Sequence, residues 1–285
     1  MKHILLLTTL TLTSLVQAQF YFSAGSGYSF GIAKQTMDGL NFENSEYNVV
    51  TPSGSIRDQI YVSLGEGFTS TATIGYQCIP GLSVELGGSY TLGKEYNSTI
   101  KYNEFEVGSD IYLTRKQSLL ANSWIFGPAI KYLIPLNKFE LYARFQFLFL
   151  SSSIQYSKED EPSPSYTGVD GWKDYSITNF GGLSYGAGAS IGCAFSLNEH
   201  WQLFAEGKIN SISYAPTKGI YTYYGSNGVN EVDNMTYWQR NIEYTNHLDP
   251  VEYPVDENTA QKRLRTSYPI SSFGLQLGIT FWLGK

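Results

Sequence analysis

Six charged residues and one histidine carry most of the chemistry this chain can offer. Glu85, Lys131, Glu140, Arg144, Glu206 and Lys208 all lie in segments where large apolar residues alternate with small or polar ones. All six fall on the small, polar side of that alternation. Three carboxylates and three cations sharing one side are the materials of a buried ion-pair network, because a lone charge held away from water is costly. A second candidate is acid–base chemistry at His247-Leu248-Asp249, with Glu243, Glu252 and several serines nearby. General-base catalysis needs the imidazole within hydrogen-bond reach of a nucleophile and an orienting acid, and no spacing here marks those partners. His200 is expected in a tight turn. Cys78 and Cys193 lack any metal-ligand spacing and are expected as free thiols. Neither a metal nor a cofactor is expected; the acidic residues of the polar segments show no calcium-loop spacing.

The elements that position these residues are strands. Phe273, Leu275, Leu277, Ile279, Phe281 and Leu283 share one side of the last stretch, while Gly274, Gln276, Gly278 and Thr280 share the other. That period of 2 is the mark of a strand with two unlike faces. Eight such stretches can be read: Phe20–Ile32, about Gln59–Ile79, Leu82–Gly93, about Leu119–Ile134, Phe139–Tyr156, about Asn179–Leu197, Trp201–Tyr214 and the last. Tight turns are expected at Pro80-Gly81, Leu136-Asn137-Lys138 and Asn198-Glu199-His200. Long polar segments, roughly 33–58, 94–118, 157–178 and 215–270, fill the other connections. Short and long connections alternate, which is the pattern of a membrane barrel with short turns on one side and long loops on the other.

Composition and dimensions agree with that pattern. The 285 residues include 23 Tyr, 16 Phe and 28 Gly, with only 15% charged residues, which argues for strands over helices. About ten residues rising ~3.3 Å each and tilted ~45° cover roughly 23 Å, close to the ~25 Å apolar band of a barrel in lipid. Phe20, Tyr76, Tyr132, Phe139, Phe195, Trp201 and Phe281 carry apolar-side parity near the short-turn end and read as an aromatic girdle at the membrane interface. Cys78 and Cys193 share that parity on opposite sides of the barrel. The charged set then points into the lumen. An eight-stranded interior is only wide enough for side chains to fill, so a structural plug is the first reading of the six charges. A network that parts to pass small ions is the second. Small inward residues, glycine and serine, are expected to leave some room for water.

Lys2, an apolar run from Ile4 to Val16 and a small-residue site ending at Ala18 read as a secretory signal peptide over residues 1–18. Residues 19–285 are then one barrel domain. The net charge of −6 comes with no basic stripe, so nucleic acid is not an expected partner. Segment 215–270 is rich in Tyr, Asn, Gly and Ser. Its Tyr223, Tyr224, Tyr237 and Trp238, with Trp172 from segment 157–178, are candidate contacts for an external ligand, since Tyr offers large contacts at low entropic cost. The competing reading is that these residues pack the segments against one another or extend the strands as hairpins above the membrane.

FSLNEHWQLFAEGKINSISY (Phe195–Tyr214) and GLQLGITFWLGK (Gly274–Lys285), with the leader and the alternating connections, resemble the small outer-membrane β-barrel proteins of Gram-negative bacteria. The likeness is greatest to the barrel domain of outer membrane protein A and related outer-membrane β-barrel domain proteins. It implies an all-β, eight-stranded antiparallel up-and-down barrel with external loops and periplasmic termini. It also implies outer-membrane lipid, lipopolysaccharide and the barrel-assembly machinery as partners. The terminal stretch looks like the signal that machinery reads, although Gly284-Lys285 follow its aromatics. A peptidoglycan-binding domain of the kind some relatives carry is not expected. The functional expectation is a non-enzymatic surface or envelope protein; the alternatives are a narrow channel for ions or small solutes and, third, a loop-based outer-membrane hydrolase or acyltransferase.

Overall fold

The computed structural model describes residues 19–33, 45–51, 54–59, 61–106, 109–162, 173–226, 228–248 and 256–283. Residues 1–18, expected as a leader, and Trp172 lie outside these residues. Eight long strands form the barrel: β1 (Gln19–Gly31), β2 (Gly67–Ile79), β3 (Leu82–Gly93), β4 (Ser109–Leu136), β5 (Phe139–Pro162), β6 (Ser184–Ser196), β7 (Trp201–Ser211) and β8 (Ser272–Leu283). Each pairs antiparallel with its sequence neighbours, and β8 pairs with β1 in register from Phe20↔Leu283 to Gly31↔Ser272. The ring therefore closes, which leaves no sheet edge along the barrel wall.

Local chemistry sets the hairpins. Pro80 and Gly81 follow Ile79, with Gly81 at φ 84°, the residue choice of a type II turn. Asn137 takes φ 58° between Leu136 and its partner Phe139, a left-handed conformation that asparagine tolerates. Asn198 Oδ1 accepts the backbone N–H groups of His200 and Trp201, both at 2.9 Å, and so closes the β6–β7 turn.

Burial alternates along every barrel strand. Leu277 is 68% exposed and Ile191 is 73% exposed, whereas Glu85, Lys131 and Glu206 are buried. The exposed residues make a continuous apolar belt, which is the inverse of a water-soluble barrel and matches a surface solvated by hydrocarbon. Among the described residues no helix is long and apolar enough to cross a membrane. Cys78 and Cys193 lie on the belt and are free.

The long connections are not simple loops. β4 and β5 run on past the belt and stay paired out to Leu113↔Pro162. A strand over Tyr96–Glu106 pairs with the extension of β4, and one over Asp174–Phe180 pairs with the extension of β5. Strands Lys218–Ser226, Asn241–Thr245 and Gln261–Leu264 continue the sheet beyond Asp174–Phe180. Segment 94–118, expected as a loop, is thus largely strand, and segment 215–270 adds three more strands to the same open sheet standing on one wall of the barrel. The reason is amphipathicity: Leu119, Ile154, Tyr156 and Ile177 line one face and are buried, while Lys116, Gln155 and Glu159 occupy the other and are exposed.

Three of the inward glycines are filled by rings, whereas Gly27 and Gly274 border a small cavity. Tyr21 stands directly across from Gly75, Tyr142 from Gly192 and Phe204 from Gly278. In each pair the ring lies over the glycine, so that an added Cβ would come within 2.1, 2.4 and 2.4 Å of a ring carbon. Of the strands where inward Gly and Ser were expected to leave room for water, Gly192 and Gly278 are corrected, since each admits a ring. Gly192→Ala is accordingly expected to lower the stability of the barrel by about 1–3 kcal/mol through overpacking. Gly207→Ala, whose Cβ would meet nothing closer than 3.8 Å, serves as the neutral control in urea unfolding.

Candidate functional site

The lower lumen is organised by one guanidinium. Arg144 on β5 donates from Nε to Glu85 Oε2 at 2.5 Å and from Nη1 to Glu206 Oε2 at 2.6 Å. Glu85 is on β3 and Glu206 on β7, so the side chain of Arg144 reaches across the interior and ties two opposite walls together. Tyr21 donates its hydroxyl to Glu85 Oε1 at 2.5 Å, and Gln276 donates to Glu206 Oε1 at 2.7 Å. Lys131 lies 3.8 Å from Glu85 and 4.3 Å from the centroid of the Tyr142 ring. Lys131 and Arg144 are direct cross-strand partners, and Glu85 between them offsets a like-charge pair that would otherwise repel.

Of the six charges read from the sequence, Glu85, Lys131, Arg144 and Glu206 are brought into one layer. Glu140 sits nearer the short turns, across from Pro135 and Ala194. Lys208 makes no ion pair within 4.0 Å among the described residues and borders two cavities of about 20 Å³ each. Each has room for roughly one water molecule. Below the layer, the Trp282 and Tyr21 rings pack in a tilted pair at 4.5 Å, and the Trp282 indole donates to Gln202 at 2.9 Å.

A second closure lies above. Val62, Leu64, Tyr96, Leu119, Ile125, Leu148, Leu150, Ile154, Tyr156, Ile212, Tyr214, Tyr268 and Ile270 form one buried apolar cluster over the mouth of the barrel. It gathers chain from before β2, from β4 and β5, from after β7 and from before β8. At its rim, Glu66 accepts hydrogen bonds from Lys94 at 3.0 Å, Tyr96 at 2.9 Å and Tyr28 at 3.2 Å. Burial alone would raise the Glu66 carboxyl; the bonds from Lys94 and Tyr96 outweigh it and hold the group below the usual carboxylate range.

The aromatic candidates near the short turns pair off across strands: Phe20 with Tyr76 at 4.9 Å, Phe139 with Phe195 at 5.1 Å and Trp201 with Phe281 at 4.7 Å. Tyr132 is exposed beside Leu82, its cross-strand partner. The tyrosines of the upper sheet are partly consumed by packing. Tyr156, Tyr175, Tyr221 and Tyr224 form a ring-to-ring series at 5.7, 5.9 and 6.1 Å. Tyr223 and Trp238 are half-buried, and Tyr237 is exposed on a short capped helical turn, Tyr237–Arg240. For His247, the backbone carbonyl accepts Thr245 Oγ1 at 2.6 Å; its candidate partners Asp249 and Glu252 lie outside the described residues.

Sequence reasoning missed Tyr21, Tyr142 and Gln276 in the charge layer and the whole apolar closure. Inward parity marked the first three. FLFL, Phe147 to Leu150, signalled the closure, since both faces of that stretch are apolar. A strand with one face on lipid needs a second apolar face only where the inside is also dry.

The closed ring of eight antiparallel pairings and the exposed belt decide the architecture. The fold is that of the outer-membrane β-barrels. No protein-family profile and no curated protein sequence matches the chain. Among solved structures, Neisserial surface protein A is similar at 12% identity and TM-score 0.36, over 93% of this chain and 97% of that one. A major outer membrane protein from Thermus thermophilus is similar at 11% identity and TM-score 0.42, over 94% and 100%. The outer membrane protease OmpT from Escherichia coli is similar at 10% identity and TM-score 0.27, over 93% and 96%.

Proposed function

We propose that this outer-membrane barrel is a closed, non-enzymatic anchor and that its upper sheet, standing outside the cell, makes the functional contacts. The observation that carries the reading is the double closure of the interior. Arg144 with Glu85 and Glu206 fills the lower lumen, and the apolar cluster around Leu148 and Leu150 fills the mouth. An ion crossing such a path would shed its hydration at an apolar constriction and then displace a desolvated ion-pair layer. The channel reading has only the two small cavities beside Lys208 in its favour.

On this account the short turns and both termini are periplasmic, and lipopolysaccharide surrounds the base of the sheet. The barrel-assembly machinery inserts the chain, reading the terminal aromatic strand. The test is electrical: refolded protein in a planar bilayer is expected to hold the membrane silent, whereas discrete openings would return function to the lumen.

A further inference from the structure

We infer that the exposed face of the upper sheet carries a binding site for an uncharged oligosaccharide, an inference that rests on the anchor-and-platform reading above. A cleft of about 440 Å³ opens there, within the range of small-ligand sites. Its floor is one cross-strand row: Asn97 faces Ser118, Ser118 faces Ser157, Ser157 faces Ser176, and Ser176 faces Tyr223. Three serines side by side make the floor shallow and line it with hydroxyls, and Tyr223 forms a wall at one end.

The chemistry of the lining selects the ligand. Lys116 and Lys158 border the cleft, but each is already ion-paired, with Glu161 and with Asp160 respectively. Little cationic capacity is left for a phosphate or an acidic peptide. What remains are the carboxylates of Glu159 and Asp174, the latter fixed by the backbone N–H of Asp160 at 2.8 Å, together with hydroxyl and amide groups that both donate and accept. A ring wall beside acceptors and hydroxyls fits the apolar face and the vicinal hydroxyls of a sugar. An extended peptide adding by backbone pairing is disfavoured, because the strands under the cleft are already paired on both edges.

Height agrees. Ser118 lies six residues beyond Trp124, the exposed ring that packs tilted against Tyr90 at 4.5 Å near the upper margin of the belt. At ~3.3 Å per residue and ~45° tilt this is about 14 Å above that margin, beyond a lipid headgroup and at the level of attached sugars.

The refolded full chain in detergent is titrated with maltopentaose, chitopentaose and a neutral outer-chain fragment of lipopolysaccharide freed of its acidic inner core, and with intact lipopolysaccharide in mixed micelles. Saturable binding of at least one probe is expected. Tyr223→Ala and Glu159→Gln should each weaken it about tenfold, the loss of one good contact, and Ser157→Phe should abolish it by filling the floor. Binding of a free oligosaccharide supports a soluble or lipid-linked source; binding of intact lipopolysaccharide alone, with the same response to the variants, supports the membrane source. No saturable binding by any probe, or binding untouched by all three variants, overturns the inference. A silent bilayer combined with no sugar binding would sink this site while leaving the platform reading standing; a conducting wild type would sink that reading first.

Discussion

Arg144→Ala is expected to destabilise the barrel by about 3–5 kcal/mol, the cost of leaving buried carboxylates without their partner. The guanidinium donates to Glu85 and to Glu206 from opposite walls, and both carboxylates are buried. Removing it leaves two like charges in a dry space, with Lys131 at 3.8 Å from Glu85 as the nearest remaining cation. Urea unfolding in lipid vesicles, followed by the heat-dependent shift in gel mobility, measures the effect. The quadruple variant Glu85→Gln, Lys131→Met, Arg144→Met, Glu206→Gln should recover most of the loss, because it removes Lys131 together with its partner Glu85, and replacing a complete ion-pair set with neutral groups of similar size is close to neutral. A loss below about 1 kcal/mol for Arg144→Ala would put these groups in water and remove the lower closure.

Leu150→Asp is expected to have its effect higher up. Leu150 is 0% exposed and sits in the apolar cluster over the mouth, opposite Ile125. A carboxylate there has no cationic partner in the cluster, and even Leu150→Ala should cost about 2–5 kcal/mol in lost burial and cavity formation. The cluster joins the upper sheet to the barrel mouth, whereas the charge layer and girdle lie below it. The variant should therefore lose protection from external protease across the upper sheet while the barrel keeps its heat-dependent gel shift. Parallel loss of both would mean that the sheet and barrel unfold as one unit.

The eight strands were legible because lipid imposes a rule. Outward positions within the belt are apolar with few exceptions such as Ser26 and Ser70, so Phe273 to Leu283 and Phe139 to Phe149 announce themselves by parity alone. The hairpins were legible through Pro80-Gly81 and Asn137, whose backbone preferences are local. The partners within the lumen were less so. Parity says that Glu85, Arg144 and Glu206 point inward, but which walls a long guanidinium joins depends on barrel diameter and stagger, which are properties of the closed ring. Tyr21 over Gly75 and Tyr142 over Gly192 depend on register, visible only once strands are paired. The upper sheet was hidden for another reason. Its strands set single apolar residues among polar ones, as in Tyr96-Asn97-Ser98-Thr99-Ile100, where Tyr96, Ser98 and Ile100 are buried and Asn97 is exposed, and such a composition reads as loop until the buried face of the sheet is known.

Single-channel recording separates the anchor from a pore most directly. Wild-type protein, with folding verified by its heat-dependent gel shift, is expected to leave a planar bilayer silent, and Arg144→Ala alone should leave it silent too, because the apolar closure around Leu148 and Leu150 remains. Discrete wild-type openings, growing when Arg144 is removed, would contradict the account and make the Glu85–Arg144–Glu206 layer a gate.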